Sequence, residues 1–387
     1  MTSAVGIGLA PTLDALVHKR SGITRTRWET VDLDTCVGEV VDLDAVEIRP
    51  DLRAFECRNN RLAQVALEQD GFAQSVRDTV ARLGSKRVGV FLGTSTSGIL
   101  SSEIAYRHRD ALTGALPAGL DYRHTHNSFS GADFVRQYFG LAGPAFAIST
   151  ACSSSGKVFG AAQRMIDLGL IDAAVVGGVD SLCLTTLYGF NSLQLISSQP
   201  CRPFDQHRNG ITIGEAAAFG LLERAGPPVP GDIVLSGVGE SSDAHHMSAP
   251  HPEGLGAMLA MRSALKMAGL SPGAIDYIAL HGTATPSNDA AEAKAVFGLF
   301  GADTPCSSLK GHIGHTLGAA GAVNAVICAL ALRHDIAPAG AGTRDLDPAL
   351  RVNYALNNVD KSMRHVLSNS FGFGGSNCSL VLSKVAA

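Results

Sequence analysis

Five short apolar runs punctuate the chain, separated by stretches rich in alanine and leucine. Residues 87–93 (RVGVFLG), 145–150 (AFAIST), 173–179 (AAVVGGV), 276–282 (DYIALHG) and 365–375 (HVLSNSFGFGG) read as buried strands that run into loops. Residues 256–270 and 318–332 read as helices. The second is apolar on every side, which predicts a helix enclosed by protein. Strands alternating with helices predict an α/β fold in which helices cover sheets. One Pro/Gly-rich stretch, 223–232, separates the strand-like runs AAAFGLL and IVLSGVG. It divides the chain into halves spanning 1–226 and 232–387.

The two halves repeat one another. VGVFLGTSTS (88–97) is similar to YIALHGTATP (277–286), and TACSSSGKVFGAA (150–162) to GHTLGAAGAVNAV (314–326). Such duplication predicts two related layers about a pseudo-twofold axis, with both sets of loops converging on one site.

Composition narrows the class. Of 387 residues, 45% are hydrophobic and 17% charged, the balance of a compact globular chain. The net charge of −4 gives no sign of nucleic-acid binding. No apolar run reaches membrane-span length, and the N-terminus lacks a signal-peptide layout. The eight cysteines are scattered and form no C-x-x-C pair, which argues against a disulfide framework or a zinc site and fits a reducing cytosol.

Candidate chemistry starts at Cys152 in TACSSS, where the strand AFAIS turns into a helix of small residues. Unpaired N–H groups at a helix start carry partial positive charge and bias a thiol toward thiolate. His281 opens HGTAT at the end of a buried strand, where α/β proteins place reactive groups. His315 and Lys310 lie in KGHIGHTLGAAG, before the all-apolar helix, and a lysine there calls for a buried partner. KGHIGH lacks the residue order of a phosphate-binding loop. His312 and His315 lack a third metal ligand at suitable spacing. His245, His246 and His251 fall in one loop that reads as a lining of the site entrance, and no metal is expected.

TACSSS, RPFDQHRNGITIGEAAA, HGTATPSNDAAE, SLKGHIGHTLGAAG and NSFGFGGSN, with a weaker FECRNNRLA, resemble the motifs of β-ketoacyl-acyl-carrier-protein synthases, in the family's order. The likeness is to the elongating Cys-His-His type. It implies a thiolase-like fold, two duplicated α/β halves in α-β-α-β-α layers. It implies a free-standing decarboxylative condensing acyltransferase of fatty acid, polyketide or polyene elongation. Cys152 would carry the acyl group. The amides of Cys152 and Phe373 would form an oxyanion hole, and His281 and His315 would hold the enolate. Lys310 would order the site through Glu292. Phe373 would serve as a gate flanked by Phe204, and Thr283 and Thr285 would bind the pantetheine arm. No cofactor is implied beyond the phosphopantetheine of the acyl carrier protein.

The implied partners are that carrier, docked on a basic rim of Arg58, Arg61 and Arg202, and a second subunit, identical or ketosynthase-like. The implied location is cytoplasmic. The competing functions are a non-catalytic chain-length subunit of a heterodimer, which typically loses the cysteine, and a degradative thiolase. Asn209, Ala284 and Ile313 depart from the family pattern, and the strand expected before the opening glycine loop is short or missing.

Overall fold

The computed structural model describes residues 1–26, 28 and 31–386. In the first half, strands β1 (Thr2–Ser3), β2 (Gly6–Ile7), β3 (Val88–Gly93), β4 (Ala145–Ile148), β5 (Ala173–Asp180) and β6 (Ala216–Glu223) form one sheet, in the order β2-β1-β6-β5-β3-β4. Its helices include α1 (Arg58–Leu67), α2 (Ser130–Tyr138), α3 (Ser154–Asp167) and α4 (Leu184–Ser192). After the 223–232 stretch come β7 (Ile233–Ser242), β8 (Tyr277–Ala279), β9 (Pro305–Ser307), β10 (Asn353–Tyr354), β11 (His365–Gly372) and β12 (Ser376–Lys384). They form a second sheet ordered β7-β12-β11-β8-β9-β10. Helices α5 (Leu255–Ala268), α6 (Pro286–Phe300) and α7 (Ala320–His334) belong to this half.

Setting β2 and β10 aside, both sheets follow one path. Counted along the chain, the spatial order is third, second, fourth, fifth, first in each. The second strand runs parallel to the third and fourth, and the fifth antiparallel to the fourth and first. The repeats read from sequence occupy matching places: VGVFLGTSTS and YIALHGTATP are the second strands, and TACSSS and GHTLGAAG lead from the third strands into α3 and α7. The duplication is therefore a property of the whole topology. The short opening strand expected from sequence is β1, which pairs with β6.

Alternation of side chains along each strand builds the layers. Val88, Val90 and Leu92 of β3 face an outer core with α1 and α2, whereas Phe91 faces the centre. In β8, Tyr277 and Ala279 face the centre and Ile278 an outer core with α5 and α6. The central core joins α3 and α7 to both sheets, giving α-β-α-β-α. The two central helices cross at Gly156 and Gly321: a methyl on Gly321 would lie 2.3 Å from the Gly156 nitrogen. No other residue allows that approach.

One expectation needs correcting. Leu317–His334 is long and apolar enough to cross a membrane by length and composition, but 78% of it is buried. The same apolarity serves a helix with sheets on both sides. All eight cysteines are buried and free.

Candidate active site

The turn before α3 is built by its own serines. Ser154 Oγ accepts from the Thr150 N–H and donates to the Ala151 carbonyl, and Ser153 Oγ donates to the Thr150 carbonyl. Ala151 is held left-handed (φ 52°), a conformation that costs an L-residue about 1–2 kcal/mol, and it sets Cys152 at the bend. Ser155 reaches into the other half, accepting the Ala322 N–H of α7 at 2.9 Å.

His315 occupies the matching turn before α7. It pairs with Ile213 as an isolated bridge, and its N–H donates to the Thr212 carbonyl. Its Nε2 lies 3.1 Å from Cys152 Sγ. The Leu317 N–H donates to its Nδ1, so the neutral ring carries its proton on Nε2, facing the sulfur. His281 meets His315 edge to face, with ring centroids 5.4 Å apart. The reactive atoms of Cys152, His281 and His315 all lie within 4.8 Å of one another.

Lys310 stands behind His281. Its ammonium donates to the His281 carbonyl and lies 3.4 Å from Nδ1, which leaves Nε2 of His281 as the donor toward the cavity. Glu292 accepts the N–H groups of His281 and Gly282 at 2.8 and 2.7 Å, and the Asn369 amide at 3.1 Å. Lys310 and Glu292 thus meet on the His281 backbone. Asn369 carried no signal in the sequence beyond its place in NSFGFGG.

Burial dominates the electrostatics. It pushes the Cys152 thiol up to about 11, against the pull of the Lys310 charge and of the Phe373 and Cys152 amides. The expected bias toward thiolate is therefore overturned in this resting site, because desolvation outweighs the positive groups. Burial, then the Lys310 charge, holds both His281 and His315 well below the usual histidine range, so both rings are neutral donors. Burial lowers Lys310 and raises Glu292 to about 7.

Cys152, His281, His315, Thr283, Thr285 and Phe373 all line one cavity of about 50 Å³, room for a few waters. Ser248, Ala249 and Pro250 of the histidine loop line it too, and the Gly374 N–H donates to the Met247 carbonyl. That loop therefore borders the cavity, as expected. His312 points elsewhere, its ring between the carbonyls of Arg20 and Ala339.

Two expectations fail. Phe204 does not flank Phe373: it is 1% exposed and stacks on Tyr354 in the outer core of the second sheet. The ring against Phe373 is Phe190 of α4, at 5.6 Å, which no motif announced. The basic rim also dissolves. The Arg58 side chain is 5% exposed and paired with Glu215, Glu39 and Asp44. Arg61 is paired with Glu56 and Asp44, and Arg202 donates to the His207 carbonyl. None of the three lines the cavity.

Asp289, inside the HGTATPSNDAAE motif, was also missed. Fully buried, it accepts the N–H groups of Phe204 and Ala284. Both residues are left-handed, at φ 63° and 67°. The departure at Ala284 thus falls where glycine is the easier residue.

Comparison with known proteins agrees with this geometry. Residues 1–226 match the family model for the N-terminal domain of β-ketoacyl synthases, and 233–343 that for the C-terminal domain. A mitochondrial 3-oxoacyl-(acyl-carrier-protein) synthase of Arabidopsis thaliana is 38% identical over 272 residues, 65% of this chain and 59% of that protein. The 3-oxoacyl-(acyl-carrier-protein) synthase 2 of Coxiella burnetii is 31% identical over 100% of this chain and 97% of its own. Among solved structures, a ketosynthase in complex with its chain length factor from Xenorhabdus doucetiae superposes with a TM-score of 0.90 at 41% identity, covering 99% of this chain and 95% of that one. With duplicated sheets, a Cys-His-His cluster at their junction, both family models matched and a 31% identical relative covered over 97% of its length, the chain belongs to the β-ketoacyl synthase family of condensing acyltransferases, on the thiolase-like fold.

Proposed function

We propose that this chain is a catalytic ketosynthase that extends a carrier-bound acyl chain by decarboxylative Claisen condensation. The observation that carries the reading is the 3.1 Å approach of His315 Nε2 to Cys152 Sγ, with His281 lining the same cavity. A chain-length subunit without chemistry has no use for this arrangement.

In the first step Cys152 Sγ attacks the acyl thioester and the carrier's pantetheine sulfur departs. The thiol proton ends on that leaving sulfur, so the neutral His315 need not accept it. Thr283 and Thr285, with hydroxyls 2.9 Å apart at the cavity wall, would hold the pantetheine arm. The N–H groups of Cys152 and Phe373, which both favour negative charge on Sγ, would receive the carbonyl oxygen as it becomes an oxyanion, each donor contributing about 3 kcal/mol. In the second step a malonyl thioester loses carbon dioxide. The electron pair of the broken bond becomes an enolate whose oxygen accepts from Nε2–H of His281 and His315. The enolate carbon then attacks the acyl carbonyl, and Cys152 leaves as thiolate and is reprotonated. The dry cavity strengthens each of these hydrogen bonds.

The acyl carrier protein is the proposed first partner. The second is a ketosynthase-like subunit, on two grounds: the related Xenorhabdus structure is a complex of that kind, and β4 has one edge unpaired among the described residues beside the site, with Phe146 48% exposed. Eight free, buried cysteines suit a reducing cytoplasm.

Intact-mass analysis after incubation with acyl carrier protein tests the reading. One acyl adduct on wild type and none on Cys152→Ala is expected. An adduct that persists on C152A, or malonyl condensation that continues without Cys152, rejects it.

A further inference from the structure

A buried acid at the end of β5 has no place in the mechanism above. Asp180 is 0% exposed and faces no Lys, Arg or His within ion-pair distance among the described residues. Its carboxylate is instead surrounded by neutral donors. The hydroxyls of Thr94, Ser95 and Thr96 donate to it at 2.7, 2.6 and 2.9 Å, and the N–H groups of Ser95 and Thr96 at 2.8 Å. The remaining donor comes from the other half of the molecule: the Gly318 N–H, at 2.5 Å. Ser95 Oγ reinforces this contact by also accepting from the Gly318 N–H at 3.0 Å.

Gly318 follows Leu317, which is left-handed at φ 52°. A leucine stays in that conformation only where its surroundings enforce it. The Leu317 N–H is the donor that occupies Nδ1 of His315. Fixing the peptide after Leu317 therefore fixes the one before it. We propose that Asp180 is a positioning residue that reaches across from the first half, pins the Leu317–Gly318 turn and so sets the His315 tautomer that presents Nε2–H to Cys152. The proposal rests on the reading of His315 as a donor. The charge of Asp180 also acts on the sulfur, opposing the pull of Lys310.

The test begins with substrate-free protein carrying ¹⁵N-histidine. In wild type, His315 shows a bare Nδ1 and a protonated Nε2. In Asp180→Asn the side-chain amide faces N–H groups it cannot accept from on both of its atoms, and His315 is expected to become a tautomer mixture. Alkylation of Cys152 by iodoacetamide gives a second readout. The titratable groups facing the sulfur are His281, His315, Lys310 and Asp180, and loss of the Asp180 charge moves the inflection to lower pH. A merely loosened fold would wet the sulfur and move the inflection the same way, so the His315 tautomer decides between the two. Condensation falls roughly 100-fold, the scale of a small misplacement of a reacting group, and Asp180→Glu recovers part of it. A D180N protein with the wild-type tautomer and a superimposable alkylation profile overturns the proposal. Should D180N not fold, Ser95→Ala decides on the tautomer alone: a smaller move of His315 toward a mixture supports the role, and an unchanged tautomer overturns it. The tautomer is read without substrate, so absence of condensation in wild type would strike the proposed function and leave this inference to its own result.

Discussion

The two halves share a topology but spend it differently. In the second half the loop after the second strand delivers His281 to the cavity, and Glu292 and Lys310 brace it from behind. In the first half the matching loop, GTSTS, delivers no reactive group; its hydroxyls turn inward on Asp180. The loops after the third strands diverge less, one presenting a thiol and the other an imidazole. On the proposed mechanism an acyl-binding sulfur would be served by one half and an enolate by the other, and that division of labour would follow from which duplicated loop kept a polar group pointing outward.

The largest effect expected on this contrast concerns how each half treats a buried acid. In the first half Glu215 is fully buried and is met by Arg58 at 2.6 Å. Arg58→Met leaves that carboxylate uncompensated and should lower stability by about 3–5 kcal/mol, read from denaturant unfolding. A loss under about 1 kcal/mol would mean the pair is dispensable.

His281→Ala separates the chemical duties. Removing one oxyanion donor should slow malonyl decarboxylation by about 10²–10³-fold. Acylation of Cys152, followed by mass, should continue, because on the proposed mechanism the amides of Cys152 and Phe373 would hold the thioester carbonyl. Equal loss of both steps would erase the division.

Glu292, unlike Glu215, has no cation within ion-pair distance among the described residues, and burial raises it to about 7. The folded protein therefore binds this proton more tightly than the unfolded chain. The stability it contributes is full below the unfolded value near 4.5 and is lost as pH rises through about 7. Glu292→Gln removes that dependence. The stability of wild type relative to E292Q should fall by roughly 3 kcal/mol between pH 4.5 and 7 and stay level above. The figure follows from about 1.4 kcal/mol for each pH step of one over which the folded protein alone holds the proton. A pH-independent gap would contradict the assignment.

The smallest effect is Ala284→Gly. It relieves a left-handed alanine worth about 1–2 kcal/mol, offset by added chain entropy and by about 0.8 kcal/mol for the lost buried methyl, so stability should change by less than about 1 kcal/mol. Thermal unfolding reads the sign.

What the sequence disclosed followed local rules. The strand-to-helix turns carrying Cys152 and His315, the enclosed helix and the duplicated strands are all written in short-range pattern. Arg58, Phe204 and Phe190 were misread or missed because side-chain direction there is settled by distant partners. Glu215 draws Arg58 inward, Asp289 fixes the left-handed Phe204 backbone, and α4 brings Phe190 to Phe373. The thiol was misjudged for a related reason: a helix start is visible in sequence, but the dryness that outweighs it is not. Asp180 stands in no motif, and its donors come from segments far apart in the chain.

The crossing at Gly156 and Gly321 carries one more implication. These glycines lie just behind the turns that hold the thiol and the imidazole, and nothing but hydrogen separates their backbones. The width of the reactive gap is governed from its rear, as the spread of a pair of tongs is governed at the pivot. A single added methyl group there would act as a wedge, parting sulfur from ring without touching either one.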